Sequence, residues 1–270
     1  MKTKVAFSII TSVFSCLLTL QASAQTVYSS YEGSQRGITV RDYNLNQSTV
    51  IPTTFSPKSI TAGLSNTFYV TSGNNIHRYA ANGVLLKNFA FPDPLINYTG
   101  VALSASGGNI YVSYKGSQLG VSTRNASTLV QSTVFSTPFS PNAIAVGPSN
   151  TLFLASGNHL YKYSTAGVQL IDMKFPDAGI NYSGIVVKGN RVYASYNGSQ
   201  KGVTVRDLNL NQLSLFNLGF SPSGIAAGLN NDVYLSTADH LYRYSTTGNL
   251  LRNILFPTIN YTGIATENSR

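Results

Sequence analysis

The chain has 270 residues, a formal net charge of +9, only 10% charged residues, no tryptophan and one cysteine. A single cysteine excludes an internal disulfide framework. The basic balance is dispersed, since Lys and Arg never form a run, so nucleic acid is not an expected partner.

The first element reads as an export signal over residues 1–24. Lys2 and Lys4 precede an apolar run from Val5 to Leu20, and Ala22-Ser23-Ala24 supplies small residues for cleavage before Gln25. The run is too short for a membrane anchor, and Cys16 lies inside it rather than after it, which argues against a lipid attachment. An exported protein, periplasmic or extracellular, is expected, with no transmembrane segment after cleavage and a monomeric state. Residues 25–270 then form one domain without cysteine, large enough for a real core.

That domain is a long repeat. Gly-Ser-Gln recurs at Gly33, Gly116 and Gly198, and Asn-Tyr-(Thr/Ser)-Gly at Asn97, Asn181 and Asn260. Phe-Ser-Pro recurs at Phe55, Phe139 and Phe220, and Phe-Pro at Phe91, Phe175 and Phe256. The period is about eighty residues, and each unit divides into two dissimilar halves of about forty. In the half from Phe139 to Pro176, turn signals separate strands expected at Ala143–Val146, Thr151–Ala155, His159–Tyr163 and Val168–Phe175. The other half gives strands at Ser183–Val187, Arg191–Tyr196, Gly202–Asp207 and Gln212–Asn217.

Forty-residue repeats of four strands are propeller blades, and this length holds six. The expected fold is an all-β, six-bladed β-propeller built from three two-blade units. The termini add an argument. Val27 to Gln35 matches the second strand and turn of a blade, as at Ile110–Gln118 and Val192–Gln200, while Asn260 to Ala265 matches a first strand. One composite blade should therefore close the ring with strands from both ends.

Gly147-Pro148-Ser149-Asn150-Thr151-Leu152-Phe153-Leu154, followed by Leu160-Tyr161-Lys162-Tyr163-Ser164-Thr165-Ala166-Gly167, resembles the repeat of the NHL and related secreted six-bladed families. Those families hold binding scaffolds, gluconolactonase-like metal enzymes and streptogramin lyases, so the resemblance implies a fold and leaves function open.

Calcium chemistry of the lactonase kind needs several inward oxygen ligands. Only Glu267 closely follows an expected innermost strand, and no Asp-x-Asp-x-Asp loop occurs, so no metal or cofactor is expected. A lyase needs a histidine base with a carboxylate. His159 and His240 are equivalent, with Asn75 in the third copy and His77 two residues further on, but they fall on separate blades. No catalytic residue is assigned.

Binding has better candidates. Tyr31, Tyr114 and Tyr196 precede Gln35, Gln118 and Gln200, with Gly37, Gly120 and Gly202 following; the motif reads as a glycine-flanked turn that joins two strands, or as an aromatic face beside an amide that suits a carbohydrate. Asn97, Asn181 and Asn260, each within a formal glycosylation sequon, are placed to ring one mouth of the channel. Gly100, Gly184 and Gly263 fit inner strands that converge on a crowded axis. Arg41, Arg124 and Arg206 read as polar ties between blades. The expected function is recognition of a surface glycan, cell-envelope component or protein at one propeller face. The alternative is an enzyme, lyase-like or lactonase-like, at the channel mouth.

Overall fold

The computed structural model describes residues 25–267, so the proposed export segment lies outside the described residues. Twenty-four strands form six four-stranded antiparallel sheets. Blade 1 contains β1 (Thr26–Gly33), β2 (Gly37–Arg41) and β3 (Gln47–Pro52). Blade 2 has β4 (Ser59–Ala62), β5 (Thr67–Ser72), β6 (Asn75–Ala80) and β7 (Leu85–Ala90). Blade 3 has β8 (Asn97–Leu103), β9 (Asn109–Lys115), β10 (Gly120–Asn125) and β11 (Gln131–Ser136). Blade 4 has β12 (Ala143–Val146), β13 (Leu152–Ser156), β14 (His159–Tyr163) and β15 (Gln169–Lys174). Blade 5 has β16 (Ile180–Lys188), β17 (Arg191–Gly198), β18 (Gly202–Asp207) and β19 (Gln212–Asn217). Blade 6 has β20 (Gly224–Ala227), β21 (Val233–Ser236), β22 (His240–Tyr244) and β23 (Leu250–Leu255). The final strand, β24 (Ile259–Glu267), returns to blade 1 as its inner strand. The protein is a six-bladed β-propeller.

Closure runs along the full length of β1, from Thr26 opposite Glu267 to Gly33 opposite Ile259, with one irregularity between Ser30 and Tyr31. Glu267 reinforces it. Its carboxylate accepts from the Tyr28 hydroxyl at 2.9 Å and from the Asn66 amide of blade 2 at 3.2 Å.

Blades pack face to face, so the middle strands are covered on both sides and lose the alternation of a half-buried sheet. Five successive residues are buried in β1, β9 and β17, whereas the rim strands β7, β11 and β23 are almost wholly exposed. The aromatic motifs fill the spaces between strands. Phe139 stacks on Tyr161 at 3.9 Å and Phe220 on Tyr242 at 4.1 Å, while Phe55 stacks on His77 at 4.0 Å in the same position. Each such pair contributes about 0.5–1.5 kcal/mol beyond its burial.

The inner-strand glycines are set by their neighbours in the next blade. A Cβ on Gly100 would lie 3.0 Å from Ile144 Cγ2, and one on Gly184 would lie 2.9 Å from Ile225 Cγ2. At Gly263 the corresponding distance to Ile60 is 3.3 Å. Each isoleucine fills the notch left by the glycine, which is how six inner strands approach one axis.

The three arginines are buried and more local than a pure blade-to-blade tie. Arg41 donates to the Leu45 carbonyl at 2.9 Å, Arg124 to Leu129 at 3.1 Å and Arg206 to Leu210 at 2.8 Å, all within their own blades. These leucines hold φ of 66°, 60° and 65°, a left-handed conformation that is costly for a branched side chain, so the guanidinium and burial fix a strained turn. The contact between blades is aromatic: Arg124 lies 4.0 Å over Phe89 and Arg41 lies 4.6 Å over Phe256.

Candidate binding face

The inner strands enclose an axial cavity of about 670 Å³ lined by all six blades. Four of its hydroxyls are engaged with second strands. Thr99 meets Ser113 at 2.9 Å, Ser183 meets Ser195 at 3.0 Å, Thr262 meets Ser30 at 3.0 Å and Ser223 meets Ser236 at 3.0 Å. These four paired hydroxyls need no water to be satisfied. Charge in this lining comes from Lys58, Lys188 and Glu267. Burial lowers the Lys188 pKa from the usual lysine range.

One face of the ring gathers the sequence candidates. Antiparallel register puts each Gly-Ser-Gln turn beside the start of an inner strand: Glu32 pairs with Asn260, Lys115 with Asn97, and Asn197 with Asn181. The second-to-third-strand turns of the other blades reach the same end, because Tyr98, Tyr182 and Tyr261 amides donate to the carbonyls of Gly73, Gly157 and Ala238. Gln35, Gln118, Gln200, Asn97, Asn181 and Asn260 are all exposed there.

The tyrosines are a different matter. Tyr31, Tyr114 and Tyr196 are 3%, 1% and 0% exposed. Tyr114 and Tyr196 pack under Phe91 and Phe175 at 6.1 and 5.8 Å, and Tyr31 meets Tyr261 edge-on at 6.4 Å. Their hydroxyls cross the glycine that opens the third strand. A Cβ on Gly37, Gly120 or Gly202 would come within 2.7, 2.8 or 2.5 Å of that oxygen. Tyrosine and glycine recur together because the ring covers the glycine. None of these three tyrosines keeps a face for a sugar to stack on, and the exposed amides are what the motif offers a ligand.

Two turns are pinned by an acid that the repeat pattern alone did not single out. Asp177 accepts from the Ser199 hydroxyl at 2.5 Å, from the Gly179 amide at 2.7 Å and from Gln200 Nε2 at 3.4 Å. Asp93 likewise takes the Ser117 hydroxyl, with the Leu95 amide at 2.9 Å. These serine bonds, then the backbone amides, hold both carboxyls below the ordinary aspartate range. In the third copy the linker from Phe256 to Asn260 is two residues shorter than its counterparts, and Ser34 donates to the Thr258 carbonyl at 2.9 Å instead.

Two histidines have carboxylate partners. His159 Nδ1 lies 2.7 Å from Asp172 and His240 Nδ1 lies 2.7 Å from Asp239. The first pair joins the third and fourth strands of blade 4, the second sits where the second-to-third-strand turn of blade 6 enters its third strand, and neither lines the axial cavity. His77 is buried with both ring nitrogens unpaired. Burial lowers its pKa to about 4. Among the described residues, no group of three or more His, Cys, Asp or Glu is placed to hold a metal ion. No described helix is long and apolar enough to cross a membrane.

Fold and register together define a six-bladed β-propeller with exposed Gln35, Gln118, Gln200, Asn97, Asn181 and Asn260 at one end of its blades. The chain is similar to a crystal structure of a protein of unknown function from Bacteroides caccae, with a TM-score of 0.73 and 12% sequence identity over 92% of this chain and all of that one. That likeness shows the fold. No protein-family model matches the chain, and no curated protein matches it.

Proposed function

We propose that this protein is an exported binding module that recognises a surface glycan, cell-envelope component or protein through the face bearing the Gly-Ser-Gln turns. One observation carries the reading: Gln35, Gln118 and Gln200 stand exposed beside Asn97, Asn181 and Asn260 on short, register-fixed turns around one mouth. Primary amides both donate and accept, which matches sugar hydroxyls and peptide groups. A rigid scaffold also lowers the ordering cost of binding. The test is a glycan array probed with the mature chain. Selective retention of surface glycans supports the glycan form of this reading; a silent array together with no captured envelope component or protein rejects the whole of it.

A second reading, a lyase-like or lactonase-like propeller enzyme, has the His159–Asp172 and His240–Asp239 pairs as its strongest chemistry. The two pairs lie on separate blades, 4 and 6, and do not combine into one site, so binding ranks first.

A further inference from the structure

The three copies share their tyrosines, glycines and inner-strand hydroxyls but differ at two positions on the mouth. The residue after the buried tyrosine is Glu32, Lys115 or Asn197, and the residue after Phe-Ser-Pro is Lys58, Asn142 or Ser223. In the first copy the two positions meet across the junction of blades 1 and 2, where Lys58 Nζ lies 3.5 Å from Glu32. In the second copy Lys115 and Asn142 line one cavity of about 380 Å³, and Lys58 reaches the same cavity from blade 2. Asn97 and Thr99 complete its polar wall.

This cavity has two lysines and no carboxylate in its lining. Glu32 neutralises Lys58 from outside it, which leaves Lys115 as surplus positive charge. An anion beside Lys115 gains a charge-assisted contact that the uncharged lining cannot supply. The remaining groups are neutral: the Asn97 and Asn142 amides, whose nitrogens each reach one backbone carbonyl at 3.4 Å and keep a second N–H and the oxygen for a ligand, and the Thr99 hydroxyl, which shares a bond with Ser113. The space lies within the range of small-ligand pockets. Lysine at the rim with amides on the walls matches a ring of hydroxyls that carries one negative group.

We propose that the cavity between Lys58, Lys115, Asn97, Asn142 and Thr99 is a subsite for a carboxylate-bearing sugar residue, with Lys115 reading the carboxylate and the amides reading ring hydroxyls. The proposal rests on the glycan form of the proposed function and narrows it to acidic saccharides. It also locates selectivity in the copies' differences: the neutral Asn197 and Ser223 positions are equivalent in sequence but lack the charge.

The test titrates the mature chain with glucuronate, glucose and acetate separately, followed by ligand-observed NMR, and repeats the glucuronate titration with Lys115→Gln and Lys58→Gln. Lys115 is exposed, so its variant should keep the parent melting temperature. Glucuronate should bind at least about tenfold more tightly than glucose or acetate, and Lys115→Gln should remove about that factor. Added salt should weaken the parent more than Lys115→Gln. Lys58→Gln should give a smaller loss, because Glu32 already neutralises it. Acetate binding as tightly as glucuronate would reduce the site to an anion hole and overturn the proposal. So would glucose matching glucuronate with no effect of Lys115→Gln, although the glycan reading would survive. Failure of glucuronate while neutral glycans are retained on the array rejects the subsite alone; failure on both rejects the two together.

Discussion

His77 lies flat on Phe55, with ring centroids 4.0 Å apart and planes 5° from parallel, where the other two copies place Tyr161 on Phe139 and Tyr242 on Phe220. Tyrosine stays neutral at that position, whereas histidine brings a titratable ring into a buried stack. The folded pKa is about 4 against 6.5 for an unburied ring, so the unfolded chain binds the proton first as pH falls. Stability is full above pH 6.5, declines between there and about 4, and levels off below. Between pH 7.5 and 4.5 the loss from this residue should be on the order of 2 kcal/mol, below the full value of the shift because the ring keeps some contact with solvent and the window is not fully crossed. His77→Tyr should remove it. Chemical denaturation of parent and variant at pH 7.5 and pH 4.5 measures the difference; equal pH dependence would exclude a neutral buried His77.

Gly184 faces a second close constraint, with an added Cβ 2.9 Å from Ile225 Cγ2 and 3.0 Å from Ser195 Oγ. Gly184→Ala should cost about 1–3 kcal/mol through overpacking, and Gly184→Val more. That corresponds to a fall in melting temperature of several degrees in a domain of this size. Gly219 meets nothing within 4 Å at its would-be Cβ, so Gly219→Ala should melt near the parent. A Gly184→Ala protein as stable as Gly219→Ala would show that the inner strands are not in contact.

The sequence exposed the repeat because duplication copied both polar turns and apolar strands. Ala143–Val146, His159–Tyr163, Gly202–Asp207 and Gln212–Asn217 are strands over the residues expected from turn signals alone. The composite blade was legible because each terminus matched a different strand of one blade type. Side-chain roles were less legible. Tyr114 and Tyr196 looked like ligand faces because nothing local shows that Phe91 and Phe175, in the linkers between blades, fold over them. The Lys58–Glu32 contact joins residues of two different blades, so no single repeat displays it. Comparing the three copies position by position would have singled out Glu32, Lys115 and Asn197 as the places where they differ.

Export makes a prediction about mass. The secreted protein should begin at Gln25, and intact-mass analysis should show loss of residues 1–24. Retention of that segment, or a lipid on Cys16, would replace the export reading with an anchored one.

Ring closure can be tested by truncation. Removing residues 260–270 leaves β1 without its inner neighbour and withdraws the buried Tyr261, Ile264 and Ala265 from the core. Blades 1, 2 and 6 then lose contacts at the axis, and the open β1 edge can template association. The truncated chain should be aggregated or severely destabilised. Cooperative melting within a few degrees of the parent would mean that the ring does not depend on its terminal strand.

The face itself is tested by replacing Gln35, Gln118 and Gln200 singly and together with alanine. All three are exposed, so the variants should fold and melt like the parent. The copies sit on one rigid ring, and linked weak sites raise the effective concentration of each other's ligand. A monovalent ligand should therefore bind weakly, with a dissociation constant on the order of millimolar, while a multivalent surface retains the protein much more strongly. One substitution should lower retention in part, and the triple variant should abolish it. Gln200 differs from the others because Asp177 holds its amide nitrogen at 3.4 Å, so the Gln200→Ala effect should be the most sensitive to Asp177→Asn. If the triple variant remains folded and is retained unchanged, the turns serve only to join strands and the partner is bound elsewhere on the propeller.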